Sequence, residues 1–148
     1  MTQTDCDFEI DGSQGRIDIV GNDASHTSAI FVYIRSHFTS RGDVVVRDGF
    51  AVSDHSILIL TGCTFEIYPG FHSHHNWATG GSAGLLFVDT TSGIAEGIVV
   101  EDNFVSGEPN MCGHGHGGGG IMFADDSSLL LRNSVLRRNS VSTPTRTC

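Results

Sequence analysis

The sequence predicts an all-β chain, a right-handed parallel β-helix of about five coils. Three observations carry that expectation. Apolar residues fall in short runs, too brief for helices and too regular for loops. Gly, Asn and Asp, which accept the left-handed backbone of a sharp corner, punctuate the runs. Side-chain identities also recur at a fixed distance along the chain, as expected when each coil of a solenoid solves the same packing problem.

From the N-terminus, Ile17-Asp-Ile19-Val20 precedes Gly21-Asn22, Ala29 to Ile34 forms a second apolar run, and Val44-Val-Val46 precedes Asp48-Gly49. The register of residues 1 to 43 stays open, and the triple-valine run is assigned to the coil before Gly49. Three octets then align: Gly49-Phe-Ala-Val-Ser-Asp54-His-Ser56, Gly84-Leu-Leu-Phe-Val-Asp89-Thr-Thr91 and Gly120-Ile-Met-Phe-Ala-Asp125-Asp-Ser127. Each continues into a second apolar run, Ile57-Leu-Ile59, Ile98-Val-Val100 or Leu129-Leu-Leu131. Bends follow at Thr61-Gly62, Asp102-Asn103 and Asn133-Ser134. In a parallel stack, Phe87 and Phe123 would share one column, and Ile59, Val100 and Leu131 another. Gly49, Gly84, Gly120, Gly62, Asn103, Asn133, Asp54, Asp89 and Asp125 are therefore expected to serve as turn residues. An antiparallel sandwich also has many short strands, but it has no reason to repeat identities at this distance.

Residues 1–148 are read as a single domain. Its clearest coils span 49–67, 84–106 and 120–137, and loops are inserted at 66–83 and 107–119. Seventeen acidic residues against eight basic ones give a net charge of −9, which argues against nucleic acid as a partner. All eight basic residues are Arg. The polar start and the lack of a long apolar run predict no signal peptide, no transmembrane segment and no direct membrane insertion. Cys6, Cys63, Cys112 and Cys148 contain no Cys-x-x-Cys pair, so zinc-ribbon and redox readings fail. Their pairing stays open among three connectivities, and Cys63, at the end of an apolar run, reads first as a small core residue.

The stretch from Gly119 through Ile121, Ser128 and Asn133 to Asn139, read as one unit, resembles a coil of the pectin-lyase-like β-helix proteins. Asp48 to Asp54, with the preference for Arg, resembles the dispersed gene family surface proteins of trypanosomes; bacterial autotransporter and polymorphic outer-membrane passenger domains are the other candidates. The resemblance covers residues 42 to 140 and rests on repeat style. It implies a surface or adhesive role at a cell surface or in a secreted protein, with carbohydrate or protein as partner. Open coil faces without capping segments predict a fragment of a longer protein.

Two clusters invite chemistry. His72, His74 and His75 lie in one expected loop and His114 and His116 in the other, where stacking would gather imidazoles for a divalent ion such as zinc. Glu66 and Glu108 stand at the loop bases. The alternative is a pair of solvated Gly-rich loops. The Asp54, Asp89 and Asp125 column suits calcium on one account and Asx-type bends on the other, and the bend is preferred. Asp125-Asp126 and Gly113-His114-Gly115 echo polygalacturonase-like enzymes, but in reversed order, so no catalytic residue is assigned. Arg132, Arg137 and Arg138 read as a solvent-facing strand. Trp77, Asp125 and Asp126 remain candidate ligand contacts, Trp77 for its stacking face. The functional expectation is a non-enzymatic repeat segment offering an extended face. A carbohydrate-active enzyme of the same fold and a truncated copy without activity are the rivals.

Overall fold

A computed structural model describes residues 2–5, 7–24, 31–51, 58–79, 85–88, 91–106, 119–123 and 126–142. The described chain is all strand, and it runs through five tiers. The first holds β1 (Thr2–Thr4), β2 (Asp7–Val20) and β3 (Asp23–Ala24). The second holds β4 (Phe31–Ile34), β5 (His37–Arg47) and β6 (Phe50–Ala51). The third holds β7 (Leu58–Thr61), β8 (Thr64–Ile67), β9 (Phe71–His74) and β10 (Trp77–Ala78). The fourth holds β11 (Leu85–Val88), β12 (Ser92–Glu96), β13 (Val99–Glu101) and β14 (Phe104–Ser106). The fifth holds β15 (Ile121–Phe123), β16 (Ser128–Arg132), β17 (Val135–Arg137) and β18 (Ser140–Ser142).

Every pairing between strands is parallel, and each joins one tier to the next. One sheet runs β1-β4-β7-β11-β15 and another β3-β6-β10-β14-β18. Between them in sequence lies the third sheet, in which β2 and β5 are long single strands. From the third tier on, its strands are split in two, β8-β12-β16 continuing one half and β9-β13-β17 the other. Gly42, Gly70 and Gly97 mark the bend between the halves, with φ of 69°, 107° and 61°. A Cβ on Gly70 would run into the carbonyl of Gly42, so successive backbones touch there.

The tier spacing corrects the register expected from sequence. Gly49 hydrogen-bonds to Asn76, 27 residues on, and Asn76 to Asn103, again 27 on; only from Asn103 to Asn139 does the spacing lengthen to 36. Phe50 thus pairs with Trp77, while Leu85 pairs with Leu58 and Ile121. Residues 85–87 and 121–123 of the second and third octets are in register, so Phe87 and Phe123 are partners. The Gly49 octet is not, because it belongs to a different sheet. Ile59 pairs with Leu86, Val100 with Leu136 and Leu131 with Ala95, so these three residues stand in three columns rather than one. Residues 64–67, 71–74 and 77–78 are strands, which removes most of the loop expected at 66–83. The extra residues of the long spacing fall between β14 and β15, where the second loop was expected, mostly outside the described residues.

In β8 and β9 alternation turns one side of the strand inward. Phe8, Phe38 and Phe65 form one internal column, with the Phe8 and Phe38 rings stacked at 6.4 Å. At Gly93, the next position, an added Cβ would meet the Phe65 ring carbon at 2.7 Å, so the phenyl ring fills the room a side chain would need. Phe38, Phe65, Phe71, Leu60, Ile67, Ile98 and Val100 are fully enclosed, each contributing about 1.5–3 kcal/mol of apolar burial. Asn76 and Asn103 extend the inward stacking as a polar ladder, in which Asn76 Nδ2 donates to Asn103 Oδ1 at 2.9 Å and Asn103 Nδ2 to Asn139 Oδ1 at 3.0 Å.

Candidate functional site

Just before the ladder, one corner is built alike in every tier. Gly21, Asp48, His75, Asp102 and Arg138 all have φ between 48° and 69°, in the left-handed region, and one residue later comes the ladder position. That geometry explains why polar residues recur there, since Asp and Gly tolerate it best. It also throws the side chains of the corner outward, between the ends of β9 and β13 on one side and the sheet of β10 on the other.

Across this corner, the third tier reads His72, His74, His75, Trp77. His72 and His74 occupy alternate outward positions of β9, their rings 4.4 Å apart, and His74 Nδ1 lies 2.6 Å from His75 Nδ1. His72 Nε2 meets Glu101 Oε1 at 3.0 Å. Glu101 is also held by Arg137 and Arg138, whose nitrogens lie 2.5 and 2.7 Å from Oε2. The Arg137 hydrogen bond keeps the Glu101 carboxyl below the usual carboxylate range, and Arg138, gripping both oxygens of Asp102, does the same there. Burial, reinforced by the positive charge its neighbours His72 and His75 would carry, lowers the His74 pKa. The cluster is therefore set for ionised carboxylates beside a neutral His74.

Beyond the corner, Phe50, Trp77 and Phe104 occupy one column on the outside of β6, β10 and β14. Phe50 and Trp77 centroids are 5.2 Å apart at 61°, and Trp77 and Phe104 6.1 Å apart at 56°. Trp77 is 48% exposed, and its indole donates to Ser106 Oγ at 2.9 Å, which fixes the ring while about half of the residue stays open to solvent.

The three histidines of the third tier are thus brought together, but on a strand and its corner rather than in a loop. Their nitrogens are turned to Glu101 and to each other, and the described residues contain no group of three or more His, Cys, Asp or Glu placed to hold a metal ion. His114, His116, Glu108, Asp54, Gly84, Asp89 and Asp125 lie outside the described residues. Asp126 stands exposed at a different corner, before β16, with φ of 59°. Gly62 and Asn133 lie at bends with φ of 61° and 48°. Gly49 and Asn103 sit buried at the ladder corner, and Gly120 is buried against Asn139. Glu66 accepts a hydrogen bond from the Tyr68 hydroxyl at 2.7 Å instead of joining the histidine cluster.

Sequence reasoning missed Glu101, Asp102, Phe50 and Phe104. The signal was present: the three aromatic residues of the row follow one another at the 27-residue tier spacing that the stronger Gly-to-Asp likeness hid. Among the described residues no helix is long and apolar enough to cross a membrane. No family model, no curated protein and no solved structure matches this chain.

Proposed function

We propose that this chain is a carbohydrate-binding segment of a right-handed parallel β-helix, of the non-enzymatic surface or adhesin-like kind, with the Phe50–Trp77–Phe104 row as its contact. The observation that carries this reading is the row itself. Large aromatic rings are normally buried in a core, whereas here a hydrogen-bonded tryptophan stays about half exposed between two flanking phenyl groups. The pyranose faces of a neutral glycan offer C–H groups to such rings, and His75 and Asp102 at the adjacent corner offer donors and acceptors to hydroxyls. A solenoid suits this use, because equivalent positions in successive tiers form an extended surface. Right-handed crossovers between parallel strands are the rule, which favours that hand for the coil. The repeat style of the sequence, which resembles that of pectin-lyase-like β-helix proteins, supports the same reading.

A glycosidase is less favoured by the same geometry. It needs one carboxylic acid held protonated, whereas Glu101 and Asp102 are both pushed toward the ionised form by arginine. The test uses Trp77, the chain's single tryptophan, as its own reporter. Titration with soluble neutral cello-, manno-, xylo- and galacto-oligosaccharides is expected to give a saturable change in its emission for at least one of them. Calorimetry on Trp77→Ala should show that affinity falling about tenfold or more. Absence of saturable binding across the series, or equal binding by the variant, would overturn the reading; release of reducing ends would replace it with the enzyme.

A further inference from the structure

We infer that the His74–His75 pair is a proton-operated switch on the aromatic row: a second proton parts the two imidazoles and turns His75 outward between Asp48 and Asp102, weakening the hold on a glycan. The regulation rests on the glycan reading above, whereas the switch rests on the pair alone. His74 Nδ1 and His75 Nδ1 lie 2.6 Å apart, so one ring donates and the other accepts across a single shared proton. An imidazolium carries N–H on both nitrogens, so a second proton would set two N–H groups face to face at that distance, and the contact has to break. His75 is the ring that leaves. It stands exposed at the corner after β9, whereas His74 is half-buried with its ring 4.4 Å from that of His72. Burial also disfavours a charge on His74.

The tiers on either side decide where the freed ring goes. Arg47, His74 and Glu101 are paired in one strand column, so Asp48, His75 and Asp102 follow as a corner column, all three with left-handed φ. Parallel neighbours are spaced about 4.8 Å apart, so a carboxylate stands one tier away on each side of His75. The cations facing this corner are already engaged: Arg47 donates to Asp48 Oδ2 at 2.6 Å, Arg138 to both oxygens of Asp102 at 2.7 Å, and Arg137 to Glu101. Glu101 also meets His72. Each carboxylate oxygen keeps a second lone pair, and an imidazolium between Asp48 and Asp102 would take those lone pairs as a charge-assisted donor. The aromatic row lies two residues further on in the same three tiers, at Phe50, Trp77 and Phe104, so the acceptors lost are the ones beside a sugar seated there.

Nitrogen-15 NMR of the full chain tests the switch without a ligand. At about pH 7.5 one Nδ1 is expected protonated and the other bare, with a scalar coupling across the hydrogen bond that vanishes by about pH 5 as His75 becomes doubly protonated. Calorimetry with the cello-, manno-, xylo- or galacto-oligosaccharide selected by the Trp77 titration then tests the regulation, on protein whose strand circular dichroism is the same at both pH values. Affinity should fall about tenfold or more between them, the loss of a hydrogen bond to a charged group. Glu101 and Asp102 do not contribute to the fall, because arginine holds both ionised through that range. His75→Gln, which keeps a polar side chain but takes no proton, should bring the ratio of the two affinities close to one. Two bare Nδ1 atoms at neutral pH, a coupling that survives at about pH 5, or an affinity ratio unchanged in His75→Gln would overturn the inference. A protein that binds no sugar at either pH overturns the glycan reading and the regulation with it, while the imidazole signals still decide the switch.

Discussion

Asn76 illustrates how much a single buried polar residue holds together here. Its Oδ1 accepts from the Gly49 amide at 3.0 Å, its Nδ2 donates to Val46 O at 3.2 Å and to Asn103 Oδ1 at 2.9 Å, and it is 1% exposed. Alanine at this site would strand the Gly49 N–H and the Val46 carbonyl away from water, and buried groups without partners are costly. Asn76→Ala is therefore expected to lose about 2–3 kcal/mol in urea unfolding, with the denaturant slope unchanged. Asn139, at the half-exposed end of the same ladder, should cost clearly less when changed to alanine. Equal losses at the two positions would show that the ladder does not act through burial.

At the scale of elements, β9 and β13 couple the fold to pH. Glu101 titrates below its ordinary value in the folded chain, chiefly through its Arg137 hydrogen bond. Its contribution is therefore complete above the unfolded value of about 4.3 and is lost as pH falls through the folded one. His74 is also depressed, so the unfolded chain takes up its proton first; stability falls as pH drops from about 6.5 toward the folded value. Urea midpoints should thus decline in two stages on acidification. His74→Gln should flatten the upper stage and Glu101→Gln the lower, and a midpoint independent of pH between 7 and 5 would refute the His74 assignment. The bend between β8 and β9 makes a different demand. Gly70→Ala would place a Cβ against the Gly42 carbonyl at a φ of 107° and should cost about 1–3 kcal/mol. Gly21→Asn, at φ of 63° with nothing near a new Cβ, should be close to neutral.

These elements also mark what could be read beforehand. The all-β, parallel character was legible because short apolar runs and Gly, Asn and Asp bends are local signals that each tier repeats. Trp77 could be singled out as an unusual residue in a polar stretch. The register was not legible across the whole chain: the likeness of Phe50-Ala51 to Leu85-Leu86 is a likeness of strands on different sheets, and only backbone pairing separates Phe50–Trp77 from Leu58–Leu85. Nor could sequence place Glu101 beside His72, 29 residues away, because that contact follows from the tier spacing and not from any motif.

For the molecule as a whole, stability should grade along the stack rather than switch on uniformly. Each described tier contacts the tiers directly before and after it, so stability is a sum of tier terms and interface terms, and a tier with one neighbour lacks one interface. Among the described residues the fifth tier pairs on one side only, with Leu130, Leu131, Val135, Leu136 and Val141 exposed, whereas β8 and β9 lie between other tiers around Phe65, Ile67 and Phe71. Hydrogen exchange on dilute protein should accordingly find the slowest amides in β8 and β9 and the fastest strand amides in β16, β17 and β18. Uniform protection at every tier would show that the chain unfolds as one cooperative unit despite its layered pairing.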